Sequence, residues 1–142
     1  MSLSKMPNAV LVTHSHDDVY CTKECCEQII NKFPGLAGKQ SLVVNVIQPD
    51  DSFKVGPFSV IPVLANHGDN SPSGYVIYII NYQDKKIIMG WDFLSLPNVH
   101  ENLLWNPDLL VLGTQSYNPH IETGMISVSE AYLLVRRYAA AI

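Results

Sequence analysis

No stretch of this 142-residue chain is long and apolar enough to cross a bilayer; the longest apolar run, "YVIYII" at 75–80, has the length of a strand. The N-terminus lacks the charged region and apolar segment of a secretory signal, so the expected location is the cytoplasm. Basic clustering is also missing. Nine Lys and Arg stand against 13 Asp and Glu, and only Lys85-Lys86 and Arg136-Arg137 are adjacent. A phosphate-tracking surface needs more than that, so general nucleic-acid binding is disfavoured. A small anion held through a metal is still permitted, because the ion supplies the positive charge. Cysteine is scarce and confined: Cys21, Cys25 and Cys26 fall within six residues. An odd count without a secretory signal reads as reduced thiols, and C-x3-C-C is not the spacing of a structural zinc site. The three are expected to be buried or half-buried residues around a helix. Repeats, linkers and low-complexity segments are absent too.

What is present fits one α/β domain over residues 1–142, large enough for a single core. "NAVLVT" (8–13) reads as a buried strand, and 22–33 as a helix ended by Pro34-Gly35. "SLVVNVI" (41–47) and "FSVIPVLAN" (58–66) read as strands, with a turn and short hairpin arm between them. "HGDNSPSG" (67–74) is rich in turn formers and reads as an exposed loop. "GYVIYIINY" and "KKIIMGWD" form a hairpin with a polar tip. Residues 96–105 read as a short helix and 107–114 as a buried strand. The last helix, 128–139, opens on Ser127-Val128-Ser129-Glu130, the signature of a capping box.

The polar residues are placed with more pattern than the elements themselves. His14, His16 and Asp18 follow the first strand, His67 follows "VLAN", Asp92 follows "IIMGW", and a polar loop follows "LLVLG". Each group lies past the C-terminal end of an apolar strand, where α/β sheets collect functional groups. An H-x-H pair in extended backbone aims both rings the same way and can chelate one ion. Imidazole nitrogens and carboxylates suit zinc, manganese or iron. His67 would complete a three-histidine set, and Asp92 would approach the same ion or bridge to a second. His100 and His120 read as surface residues.

In order along the chain, His14-Ser15-His16-Asp17-Asp18-Val19, His67 in "VLANHGDNSPSGYVIY", Asp92 in "KKIIMGWDF" and the segment "NPHIETGMISVSEAYLLVRRYAA" resemble the motifs of the metallo-β-lactamase-fold hydrolases. The last segment is similar to the tail of the phosphodiesterase-like members. The resemblance implies an αββα sandwich, of which this chain holds mainly the C-terminal part with a truncated first sheet. It also implies a first metal site on His14, His16 and His67, with Asp18 and Asp92 left for a second. Two departures stand out: the family's histidines after the motif aspartate and after the late glycine are here Val19 and Met125. Neither replaces a ligand for a borderline dication.

Two functions follow. One is a hydrolase that attacks an ester or phosphodiester with a water activated by Zn2+ (or Mn2+ or Fe2+), about one ion per chain. Asp92 would then orient the water or hold a weak second ion, and Asp18 would accept a proton or remain a second-site ligand. The other is a catalytically degenerate binding or structural module that keeps the fold. In both, the expected partner is a second copy of the chain or an N-terminal segment covering the open sheet, since soluble proteins rarely leave such surface bare.

Overall fold

The computed structural model describes residues 20–36, 44–68, 74–96, 101–120 and 124–138. The expected first strand, 8–13, and the segment bearing His14, His16, Asp18 and Val19 lie outside these residues, as does His100. Strand β1 (Tyr20–Thr22) runs directly into helix α1 (Lys23–Lys32), and β2 (Asn45–Ile47) pairs parallel to β1. Then follow β3 (Phe53–Val55), β4 (Phe58–Leu64), β5 (Val76–Tyr82), β6 (Lys85–Gly90), helix α2 (Glu101–Leu104), β7 (Leu109–Leu112) and helix α3 (Val128–Tyr138). Strands β3 to β7 form one sheet in chain order, antiparallel except for the parallel pair β6–β7. That parallel step needs a crossover, and α2 lies in it. No helix of the described residues is long and apolar enough to span a membrane.

Side-chain alternation divides the large sheet into two faces. Val63, Ile77, Ile79 and Ile88 point one way and pack with Phe93, Leu104, Ile126 and Tyr138, with Ala131 and Leu134 of α3 against them. Val60, Val76 and Tyr78 point the other way and pack with Ile47 of β2 and Tyr20 of β1. The β1–β2 pair has its own outer layer, where Cys21 meets Cys25 and Ile29 of α1. The described layers therefore run helix, sheet, sheet, helix, with the second sheet only two strands wide among the described residues. Each fully buried aliphatic on β5 stabilises this arrangement by about 1.5–3 kcal/mol.

Two stitches hold the layers in register near the strand ends. The Tyr20 ring stacks on Phe53 at 5.2 Å, and the Tyr78 hydroxyl donates to the Tyr20 carbonyl at 3.3 Å. Thr22 caps α1 by accepting from the Cys25 amide, and its hydroxyl donates to the Gly74 carbonyl at 2.9 Å. Strand β1 has no periodicity to announce it: three residues wedged between a polar segment and a helix are too few for alternation to show. The helix expected at 22–33 instead begins one residue later, with Thr22 as its cap.

The capping box is present. Ser127 N donates to Glu130 Oε2 at 2.8 Å, Ser127 Oγ donates to the same oxygen at 2.7 Å, and Glu130 N donates back to Ser127 Oγ at 3.2 Å. The hydrogen bonds from the Ser127 amide and hydroxyl hold the Glu130 carboxyl below its ordinary range. A folded carboxyl that binds its proton more weakly than the unfolded one contributes stability that is complete at neutral pH. That contribution is lost as pH falls through the carboxylate range. We expect Ser127→Ala to lower unfolding free energy by about 0.5–2 kcal/mol. Glu130→Gln should flatten the acid limb of the stability profile. Urea unfolding at a series of pH values measures both, and an unchanged acid limb would show that the box contributes nothing.

Candidate metal centre

The residues around His67 are placed by backbone bonds rather than by the strand itself. Strand β4 ends at Leu64, and Asn66 then clips onto the segment after β6. The Asn66 amide donates to the Ser95 carbonyl at 3.0 Å, and the Leu94 amide donates to the Asn66 carbonyl at 2.7 Å. The Asn66 side chain also accepts from the Gly68 amide at 2.9 Å, turning the chain immediately after His67. His67 thus follows one side of the clip, and Asp92 precedes the other by two residues. The ring packs against Tyr75, with centroids 4.4 Å apart.

The Gly90–Phe93 segment is pinned from two directions. The Gly113 amide donates to the Gly90 carbonyl at 3.0 Å, and the Ile126 amide donates to the Phe93 carbonyl at 2.8 Å. The approach at Gly113 is so close that a Cβ there would lie 1.8 Å from the Trp91 carbonyl oxygen. Only glycine fits. Asp92 is therefore held between β7 and the strap that leads into α3.

These constraints bring His67 and Asp92 together. His67 Nδ1 lies 3.5 Å from Asp92 Oδ1, with both side chains mostly buried. A shorter bond decides the ring's protonation: Nδ1 lies 2.7 Å from the Gly124 carbonyl oxygen. A carbonyl only accepts, so Nδ1 donates to it, and Nε2 is the nitrogen that would ligate a metal. Metal-bound histidines are commonly fixed this way, with the far nitrogen donating to a backbone carbonyl. An imidazole nitrogen and a carboxylate are donor types that suit a borderline dication, and the approach of Asp92 is to Nδ1. Among the described residues no group of three or more His, Cys, Asp or Glu is arranged to hold one. His14, His16 and Asp18, the other expected ligands, lie outside them.

Gly124 has φ +67, a left-handed conformation, and a Cβ built on it would stand 2.9 Å from His67 Cε1 and from the His67 carbonyl oxygen. In "GMIS" the resemblance marks a replaced histidine at Met125, but the residue the structure constrains is the glycine in front of it. The signal was available, since glycine tolerates both a positive φ and a close approach. Met125 follows Gly124 directly, and its methyl would lie 3.1 Å from a Cβ at Gly113, so position 125 adjoins the same cluster. His120 is exposed on the loop after β7, in agreement with a surface role.

Gly124→Ala is expected to lower unfolding free energy by about 1–3 kcal/mol through backbone strain. It should also shift the His67 ring resonances. Wild-type stability together with unmoved resonances would mean that the carbonyl does not hold the ring.

No protein-family profile matches the chain, and no curated protein matches it. Solved structures do. A diphosphatase of the PhnP family superposes with a TM-score of 0.65 at 15% identity, covering 84% of this chain and 42% of that one. The metallo-β-lactamase fold protein YhfI from Bacillus subtilis gives 0.65 at 18% identity, over 85% of this chain and 48% of that one. Zn2+-bound PqqB from Methylobacterium extorquens gives 0.62 at 12% identity, over 76% and 45%. The chain spans about half the length of these structures. Its layered α/β architecture is that of the metallo-β-lactamase fold.

Proposed function

We propose that this chain serves a metal-dependent hydrolase acting on an ester or phosphodiester, with an intact first metal site and an impaired second one. The observation that carries the reading is the His67 ring, held through Nδ1 by the Gly124 carbonyl so that Nε2 is the nitrogen that would ligate. His14, His16 and His67 would hold the ion, with Asp92 and Asp18 nearest in role. A bound Zn2+, Mn2+ or Fe2+ would supply an acidified water and charge for the developing oxyanion. Asp92, beside His67, would orient that water through its carboxylate, and Asp18 would take its proton. The choice of a small phosphodiester rests on likeness of fold and of the C-terminal segment, including a diphosphatase among the similar structures.

The degenerate reading has one observation in its favour. Met125 adjoins the cluster at the position where the resemblance calls for a second-site histidine, and its thioether is a poor ligand for such ions. Two-metal hydrolysis places one ion on each side of the displacement, so loss of one site weakens it. A second copy of the chain, covering the surface left open beside the β1–β2 sheet, two-stranded among the described residues, belongs to the same proposal. Mass in solution by light scattering tests that part.

Elemental analysis of the purified chain, with hydrolysis of a chromogenic phosphodiester in added Zn2+ or Mn2+, tests the function. We expect about one ion per chain, metal-stimulated turnover, and loss of both in His67→Ala. Val19→His with Met125→His should raise the metal content. No metal and no turnover would overturn the proposal; metal without turnover would leave the degenerate module.

A further inference from the structure

The three cysteines were expected as inert residues around a helix, and their placement is more specific than that. Cys21 is on β1 and fully buried; Cys25, in the first turn of α1, is 5% exposed. Both belong to one cluster with Ile29, and Cys26 packs against it from the partly exposed side. The turn from β1 into α1 folds the chain back so that residues four apart meet. Thr22 fixes that turn at both ends, capping the Cys25 amide and binding the Gly74 carbonyl. The Cys21 and Cys25 side chains thus share one buried packing cluster, with Cys26 beside it.

The electrostatics of the three are unequal. The hydrogen bond from Cys21 draws the Cys25 thiol below its ordinary range, and that same bond is the main reason Cys21 is pushed far up. Burial pushes Cys26 up. Cys25 also lies where backbone amides of a helix N-terminus favour a thiolate. One sulfur is thus disposed to be a nucleophile, and the buried Cys21 thiol packs in the same cluster.

We propose that Cys21 and Cys25 are an oxidisable dithiol that closes to an intramolecular disulfide with hydrogen peroxide, Cys26 remaining a thiol. The Cys25 thiolate attacks one peroxide oxygen, the O–O bond breaks, and the departing hydroxide takes a proton to leave as water. Cys25 is then a sulfenic acid. The Cys21 sulfur attacks the Cys25 sulfur, the S–O bond breaks, and the hydroxide leaves with the Cys21 proton as a second water. Two thiols are oxidised and one peroxide is reduced. Peroxide is little larger than water, and it approaches from the Cys26 side, where the cluster meets solvent. Cys26 does not pair with Cys25, because adjacent residues of a helix turn their side chains apart.

The test is differential alkylation with peptide mapping of the full chain, before and after peroxide and again after dithiothreitol. Two of three alkylatable thiols should be lost, with the mass falling by two hydrogens, a Cys21–Cys25 cross-link mapped, and full recovery on reduction. Cys26→Ser should keep the cross-link. Cys21→Ser should instead trap Cys25 as a sulfenic acid that dimedone labels. Three alkylatable thiols after peroxide, oxidation confined to Cys26, or a cross-link only between molecules would each overturn the proposal. The measurement on the unmodified chain stands even where a variant fails to fold.

Discussion

The bond between His67 Nδ1 and the Gly124 carbonyl is the point at which three separate parts of the chain are made to agree. For it to form, the chain after β4 must be clipped to the chain after β6, which the Asn66–Ser95 exchange does. The strap before α3 must run past β6 at the right height, which the Ile126–Phe93 bond sets. And position 124 must turn through a left-handed conformation with no side chain in the way, which requires glycine. The capping box at Ser127 fixes the far end of that strap to α3. A proton position on one imidazole is therefore determined by contacts spread over about sixty residues.

The same layering explains why the site is at this edge. Apolar alternation fixes the two faces of the large sheet, and α3 and the β1–β2 pair each cover one of them. Polar groups have nowhere to go within those layers, since burying them without partners costs several kcal/mol. They collect where strands end and the covering layers part. His67 and Asp92 are partly buried there and already in contact with protein groups, which limits the reorganisation that ligation would demand.

Much of this was legible in the sequence. The hairpin of β5 and β6, strand β4 and the start of α3 at its capping box all carry strong local signals: alternation, turn residues and a spaced Ser–Glu pair. Strand β7 forms where a buried strand was expected but lies at the sheet edge among the described residues, partly exposed. His67 and Asp92 stood out as candidates because each follows an apolar strand, and the structure brings the two side chains within 3.5 Å of each other. What escaped was either too short or too local in its chemistry. Three-residue β1 has no period to read. Gly113 looked like an ordinary strand-end glycine and Gly124 like a loop glycine, because close approach to a distant carbonyl or ring is a tertiary fact. The cysteine cluster escaped for the same reason: spacing alone does not say that a strand-to-helix turn will pack Cys21 and Cys25 into one buried cluster. The likeness to solved structures at 12–18% identity fixes the fold, and the chemistry must be argued from residues.

The proposed metal centre requires His67 to donate through Nδ1 to the Gly124 carbonyl while Nε2 takes the ion. Long-range proton–nitrogen correlation spectra of the His67 ring, recorded while Zn2+ is added, test this most directly. The account predicts an Nδ1–H tautomer before addition and a large shift of Nε2, with Nδ1 still protonated, as the ion binds. An Nε2–H tautomer, or an Nε2 resonance indifferent to zinc, would contradict it.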